Sequence, residues 1–328
     1  MYEKCRRMGF KVNKEDVRCL LSIFNPENVA LRQRHRLQRR RYTSKGPNYI
    51  WHMDSYDKLR PFGICINGCI DGYSRKIIWL NAYFTSSDPS VVASYYTESI
   101  KELGGCPTIV RADMGTENGI VCEFQRYLRQ DDTDSFQGDK SFLYGKSVCN
   151  QRIECWWGMF RKECAEYWIR RFKELRDNGD FDGTFLDKNL ILFCFLHILQ
   201  SACVVQFKLP QNKMKCLFQT ELDSTTDVWN NHLIRPSRVG TSPHGRPNVL
   251  YTVPELCNTR NYLCIKSEDE IDICNDLVEH RTTVPCDVDV YNWCINFMSE
   301  NNLYLTLEPN DAFNLYLTLR RSIHQIID

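Results

Sequence analysis

The sequence predicts an α/β fold in which a mixed sheet is flanked by helices. The order of patterns carries this expectation: three strand-like runs come first, then a helix, a fourth strand and a second helix, and further helices follow. Composition agrees, since 43% of the 328 residues are hydrophobic and 25% charged, as in an ordinary globular chain.

The opening residues read as helices. Asn13 can cap a helix over residues 14–24, with Val17, Leu20, Leu21 and Phe24 at helical spacing. Pro26 is expected to break it and Asn28 to cap a second helix through Val29 and Leu31, making residues 1–44 a basic, helix-turn-helix-like segment. The turn cluster Ser44-Lys45-Gly46-Pro47-Asn48 then opens a core expected over residues 45–220. Strand-like runs cover residues 49–56, 63–70 and 76–83, and Gly72 and Ser74 supply the turn between the second and third. Asp88-Pro89 begins a helix carrying Val91, Val92, Tyr95, Tyr96 and Ile100, and Gly104-Gly105 closes it. Residues 108–112 form a short buried strand. A second helix follows, with Ile120, Val121, Phe124 and Leu128 on one face, and residues 130–140 read as a polar loop. From about Asn150 to near Asp177 a long helix is expected, with Ile153, Trp156, Phe160, Tyr167 and Trp168 as its apolar stripe. The pattern is irregular after Pro210, and the extension over residues 221–328 becomes helical again in its last fifty residues.

A net charge of +1 conceals an asymmetry. Residues 1–45 hold thirteen Lys and Arg against four Asp and Glu, a charge of +9, which leaves −8 for the remainder. The densest stretch, RQRHRLQRRR, places six arginines between Arg32 and Arg41, among them Arg34, Arg36, Arg39, Arg40 and Arg41. A solvated charged face or a nuclear-import signal is the plain reading; contact with a nucleic-acid backbone is the functional one.

The seventeen cysteines contain no Cys-x-x-Cys pair, and the closest two, Cys65 and Cys69, lie in an apolar run without a nearby histidine. They read as reduced, mostly buried side chains rather than zinc ligands. No secretory-signal pattern opens the chain. The longest apolar run, residues 190–207, contains His197, Gln200, Ser201 and Gln206 and is flanked by Lys188 and Lys208, so a buried helix fits better than a membrane span. A soluble protein without a membrane partner is expected, with His197 as a satisfied core histidine.

Three carboxylates stand out by placement. Asp54 lies within the first strand in WHMDSYDKL, Asp113 ends the fourth in VRADMGTEN, and Glu154 sits near the start of the long helix in NQRIECWW. If the first and fourth strands are neighbours, their acids meet across the ladder, and a helix crossing that edge adds the third. Gly158, one turn beyond Glu154, leaves room above it, and Arg161 stands where a phosphate could be held. Each acid alone could be merely solvated; together they suit a pair of hard divalent cations for phosphodiester chemistry. Asp57, Asp71 and Glu117 are rival acids, although Asp71 suits a turn with Ser74 and Arg75, and Glu117 suits a helix start. Of the adjacent Trp156 and Trp157, one is expected in the core and the other over an interface.

The motifs Trp51-x-x-Asp54, Asp71-x-x-Ser74-Arg75, Asp113-x-Gly115-x-Glu117-Asn118 and Asn150-x-x-x-Glu154 resemble the retroviral and retrotransposon integrase core. Forty residues separate Asp113 from Glu154, slightly more than is usual in retroviral members. The segments GPNYIWHMDSYDKL, YGKSVCNQRIECWWGMFR and WNNHLIRPSR resemble integrase-like proteins derived from animal transposons of the Ginger type. This resemblance covers about residues 1–255. It implies a ribonuclease-H-like, five-stranded mixed sheet and a nuclear, Mg2+- or Mn2+-dependent enzyme that cuts DNA and joins its 3′ ends, acting as a homo-oligomer on those ends. It further implies that Asp54 and Asp113 share one metal and Asp54 and Glu154 the other. Residues 141–149 would be the loop that contacts DNA ends, with Lys146 and Arg152 as phosphate contacts. Two departures stand out: no amino-terminal His-His-Cys-Cys zinc module and no carboxy-terminal SH3-like or chromodomain module are recognisable. They leave open a domesticated, non-enzymatic DNA- or chromatin-binding protein. An RNA nuclease of the same fold would need a fourth acid and contacts to a 2′ hydroxyl.

Overall fold

The computed structural model describes residues 10–24, 26–27, 42–145, 150–199, 221–236, 243–278 and 284–327. The chain divides into two compact units, Met1–Tyr42 and Thr43–Asp328.

In the first unit, helix α1 spans Lys14–Phe24. Asn13 caps it as expected: its Oδ1 accepts from the Asp16 amide at 2.8 Å, and Asp16 Oδ2 accepts from the Asn13 amide at 3.1 Å. Pro26 and Glu27 are already helical, earlier than the start expected after Asn28. Arg34, Arg36, Arg39, Arg40 and Arg41 lie outside the described residues.

The second unit is built on a five-stranded sheet of β1 (Ile50–Tyr56), β2 (Cys65–Asp71), β3 (Ile77–Tyr83), β5 (Ile109–Ala112) and β6 (Phe142–Tyr144). Its order is β3-β2-β1-β5-β6. The β1–β2 and β2–β3 pairs are antiparallel, and the β1–β5 and β5–β6 pairs are parallel. This mixed topology is ribonuclease-H-like, as the resemblance implied. Strand β6 falls in the stretch expected to be a loop, because three residues are too few to show an alternating pattern. A separate two-residue strand β4 (Gly105–Cys106) pairs antiparallel with β7 (Cys264–Ile265), a contact that no local pattern announces.

Alternation along the strands divides the core into two layers. Trp51 and Met53 of β1 pack with Val92, Tyr96, Val121 and Phe124 from α2 (Pro89–Leu103) and α3 (Gly119–Leu128). Helix α2 begins and ends where Asp88 and Gly104 indicated, with Asp88 Oδ1 accepting from the Ser90 amide and Gly104 in the left-handed conformation at φ 68°. Tyr56, Ile66, Ile70 and Leu80 face the opposite layer, formed by the long helix and α6 (Phe185–Leu199). After α7 (Glu221–Asn231) and α8 (Pro247–Thr252), the C-terminal helices join these same layers: α9 (Glu268–Asp276) enters the first, and α10 (Val288–Glu300) and α11 (Pro309–Ile327) enter the second.

The long helix runs as α4 (Gln151–Phe160), a π-helical stretch Arg161–Ala165, and α5 (Glu166–Asp177). The wider π turn delays the apolar stripe by about one position. Trp168 is therefore fully buried, whereas Tyr167, expected in the stripe, is 36% exposed. Trp156 and Trp157 are both buried, so neither covers an external surface. Helix α6 is buried from Leu190 to Leu196, and His197 Nε2 meets the Thr306 carbonyl at 2.9 Å. No helix among the described residues is long and apolar enough to cross a membrane.

Candidate active site

Asp54 lies in β1 on the face that meets α4. The parallel register of β1 and β5 pairs Ile50 with Ile109, Trp51 with Val110 and His52 with Arg111. Continued by two residues, this register brings position 113, one residue past the end of β5, level with Asp54, on strands about 4.8 Å apart. A turn just beyond β5 holds Asp113, whose Oδ1 accepts from the Gly115 amide at 3.2 Å and Asn118 Nδ2 at 3.0 Å.

Glu154 occupies the first turn of α4, and two contacts fasten that turn to β1. Asn150, the residue before the helix, donates from Nδ2 to the Met53 carbonyl at 2.7 Å. Its Oδ1 lies 2.7 Å from His52 Nδ1 and, being a carbonyl oxygen, accepts there, which places the imidazole proton on Nδ1. The second contact comes from Trp157, whose Nε1 donates to Asp54 Oδ2 at 2.9 Å. Gly68 faces Asp54 across the β1–β2 ladder and gives the indole its place, since a Cβ at 68 would sit 2.8 Å from Trp157 Cη2. Glu154 lies between Asn150 and Trp157 on one side of the helix. It is exposed, and a Cβ at Gly158 would meet nothing within 4 Å, so the space beyond it is open.

The electrostatics match this arrangement. Burial pushes the Asp54 carboxyl up to about 7; the Trp157 hydrogen bond opposes this, while the charges of Glu154 and Asp113 add to it. Asp113 and Glu154 thus each lie within electrostatic reach of Asp54. Burial also holds His52 neutral, lowering it to about 3 despite its bond to Asn150. Among the described residues, no three or more His, Cys, Asp or Glu side chains are set to hold a single metal ion.

The other expected site residues divide. Arg152 donates from Nε to the Gly72 carbonyl at 3.0 Å, towards the β2–β3 turn. Arg161 pairs through Nε with Glu166 Oε2 at 2.7 Å across the π stretch. Lys146 lies outside the described residues. Among the rival acids, Asp71 is buried and accepts from the amides of Asn48 and Ser74 and from Ser74 Oγ, each at 2.7 Å, which makes it the fastening of its turn. Glu117 folds over Gly115, and Asp57 faces Arg60 at 3.7 Å on the surface. His52, Asn150 and Trp157 were not singled out as site residues from sequence. Their only local signal is proximity to the acids, in WHMD and in the Asn150-x-x-x-Glu154 spacing.

Residues 41–260 match the integrase core domain family. Compared with curated proteins, the chain matches none. The family match spans more than half of the chain and agrees with the sheet order: the chain belongs to the integrase core domain family.

Proposed function

We propose that this chain is a DNA integrase or transposase-like enzyme in which Asp54, Asp113 and Glu154 are the catalytic acids and metal ligands. The observation that carries the reading is the condition of Asp54: half-buried beside two further acids, its anion is disfavoured unless a cation shares the pocket. The donor set suits Mg2+ or Mn2+, being carboxylate oxygen throughout, with His52 bound to Asn150 rather than available as a ligand. Asp54 and Asp113 would hold one ion and Asp54 and Glu154 a second. Such ions supply charge stabilisation for the attacking and leaving oxygens of an in-line displacement.

The protein's own residues set the geometry of that chemistry. Asn150 and Trp157 keep the helix of Glu154 on the strand of Asp54, so the acids approach a scissile phosphate from a fixed frame. The open space beside Gly158 admits a phosphodiester backbone. Arg34, Arg36, Arg39, Arg40 and Arg41 would supply a polycationic contact to DNA, and Lys146, Arg152 and Arg161 further phosphate contacts. Arg161 would have to exchange Glu166 for phosphate. A nuclear setting, assembly as a homo-oligomer on DNA ends and descent from a Ginger-like element belong to the same proposal.

The test is strand cleavage and transfer on double-stranded DNA ends with Mg2+ or Mn2+, comparing wild type with Asp54→Asn, Asp113→Asn and Glu154→Gln. Product from wild type and none from the variants is expected. Equal product from all four would overturn the reading. DNA binding by all four without product would favour a non-enzymatic DNA- or chromatin-binding protein.

A further inference from the structure

We propose that Cys264 and Cys106 form a thiol-oxidation site, where a hydroperoxide oxidises Cys264 and Cys106 then closes a disulfide across the β4–β7 pair. This does not depend on the function proposed above. The two cysteines are direct partners in the antiparallel register of β4 and β7. Such partners have Cα atoms about 4.5–5.5 Å apart, within the range a disulfide spans.

Among the described residues, the surroundings separate this pair from the other cysteines. Arg129 is buried to 1% exposure, forms ion pairs with Asp132 and Asp134, and directs Nη1 at Cys264 Sγ from 2.9 Å. Thr108 Oγ1 lies 3.8 Å from the same sulfur. A hydrogen bond from Cys106 and the Arg129 charge draw the Cys264 thiol down to about 7, although burial and Asp132 oppose them. Lys266, almost buried, pairs with Asp132 at 2.9 Å and so partly offsets that acid. A guanidinium beside a thiol favours the thiolate, the form that attacks peroxide. Access is unequal: Cys264 is part-exposed and Cys106 fully buried, so an oxidant reaches Cys264 first.

The chemistry balances. The Cys264 thiolate attacks the peroxide O–O bond, forming a sulfenic acid and releasing hydroxide, which takes up the proton that left the thiol. Cys106 then loses its proton and attacks the Cys264 sulfur; the S–O bond breaks and the oxygen leaves as water. Two thiols and one hydrogen peroxide thus become one disulfide and two waters. The bond would close three residues before β5, the strand that leads to Asp113.

The test uses the full reduced chain, treated under native conditions with one equivalent of hydrogen peroxide and digested without reductant for mass spectrometry. A peptide pair joined through Cys106 and Cys264 is expected before oxidation of Cys19 or Cys155, both of which are exposed. In Cys106→Ser, dimedone should trap the sulfenic acid at Cys264; in Cys264→Ser, Cys106 should remain a thiol. In denaturant the preference should disappear. Oxidation of Cys19 or Cys155 first, with Cys106 and Cys264 recovered as thiols, would overturn the proposal. So would a Cys106→Ser protein whose Cys264 yields no adduct.

Discussion

His52 and Asn150 meet in a buried hydrogen bond of 2.7 Å that fastens the start of the Glu154 helix to the strand of Asp54. The same Asn150 side chain also holds the Met53 carbonyl, so one amide secures two groups on β1. Asn150→Ala would remove both hydrogen bonds, at a cost of about 1–3 kcal/mol for each buried bond lost. Cleavage should fall by about 10–100-fold, because small misplacements of a catalytic group are costly. Asn150→Ser should be intermediate. Denaturant unfolding measured beside kcat separates the two effects: equal kcat in Asn150→Ala and wild type would show that the clamp does not position Glu154.

Trp157 and Gly68 form a second support. Trp157→Phe keeps a ring on the sheet but removes the donor to Asp54 Oδ2. Because that bond favours the carboxylate, Asp54 should become harder to ionise, and the Mg2+ concentration for half-maximal activity should rise at pH 7 more than at pH 9. Gly68→Ala should displace the indole and destabilise the fold by about 1–3 kcal/mol, as overpacking does. An unchanged metal requirement in Trp157→Phe would count against the support.

Asp54 gives the apo protein a pH signature. Its folded value of about 7 lies above the ordinary 3.8, so between them the native state holds more protons than the unfolded chain. Stability from this group is therefore present below about pH 4, declines as pH rises through that window, and stays reduced above it. Asp54→Asn removes the penalty and should raise the metal-free melting temperature at pH 8, by an amount on the order of 1–3 kcal/mol in stability, but not at pH 4. Mg2+ should stabilise wild type more than the variant, since a ligand that binds only the native state shifts unfolding by mass action. Thermal denaturation at both pH values, with and without Mg2+, checks each part.

Several structural features were legible in sequence because local chemistry produces them. Asp88 and Gly104 bound α2 through a side-chain cap and a left-handed residue, each specified by one amino acid. The acids at 54, 113 and 154 could be assigned to elements because each element has its own pattern. What escaped depends on distance along the chain. Strand β6 exists because β5 offers it an edge, and β7 because β4 does, while two or three residues carry no periodicity of their own. The His52–Asn150 and Asp54–Trp157 bonds join residues about a hundred positions apart. Tyr167 was misplaced because periodicity assumes one helical pitch, and the helix changes pitch before reaching it.

That change of pitch has a consequence for how the long helix tolerates alteration. The wide turn at Arg161–Ala165 works as a phase adjuster between a front half keyed to the acid-bearing strand and a rear half keyed to α6 and α11. Losing one residue there would restore an even spiral and leave the two halves nearly in phase, because the wide turn already absorbs one extra residue. Trp157 and Trp168 could then both stay seated, whereas losing one residue within the regular part of α4 or α5 would turn the halves against each other by about 100°. Shortening is thus better tolerated inside this segment than in the even spiral on either side of it.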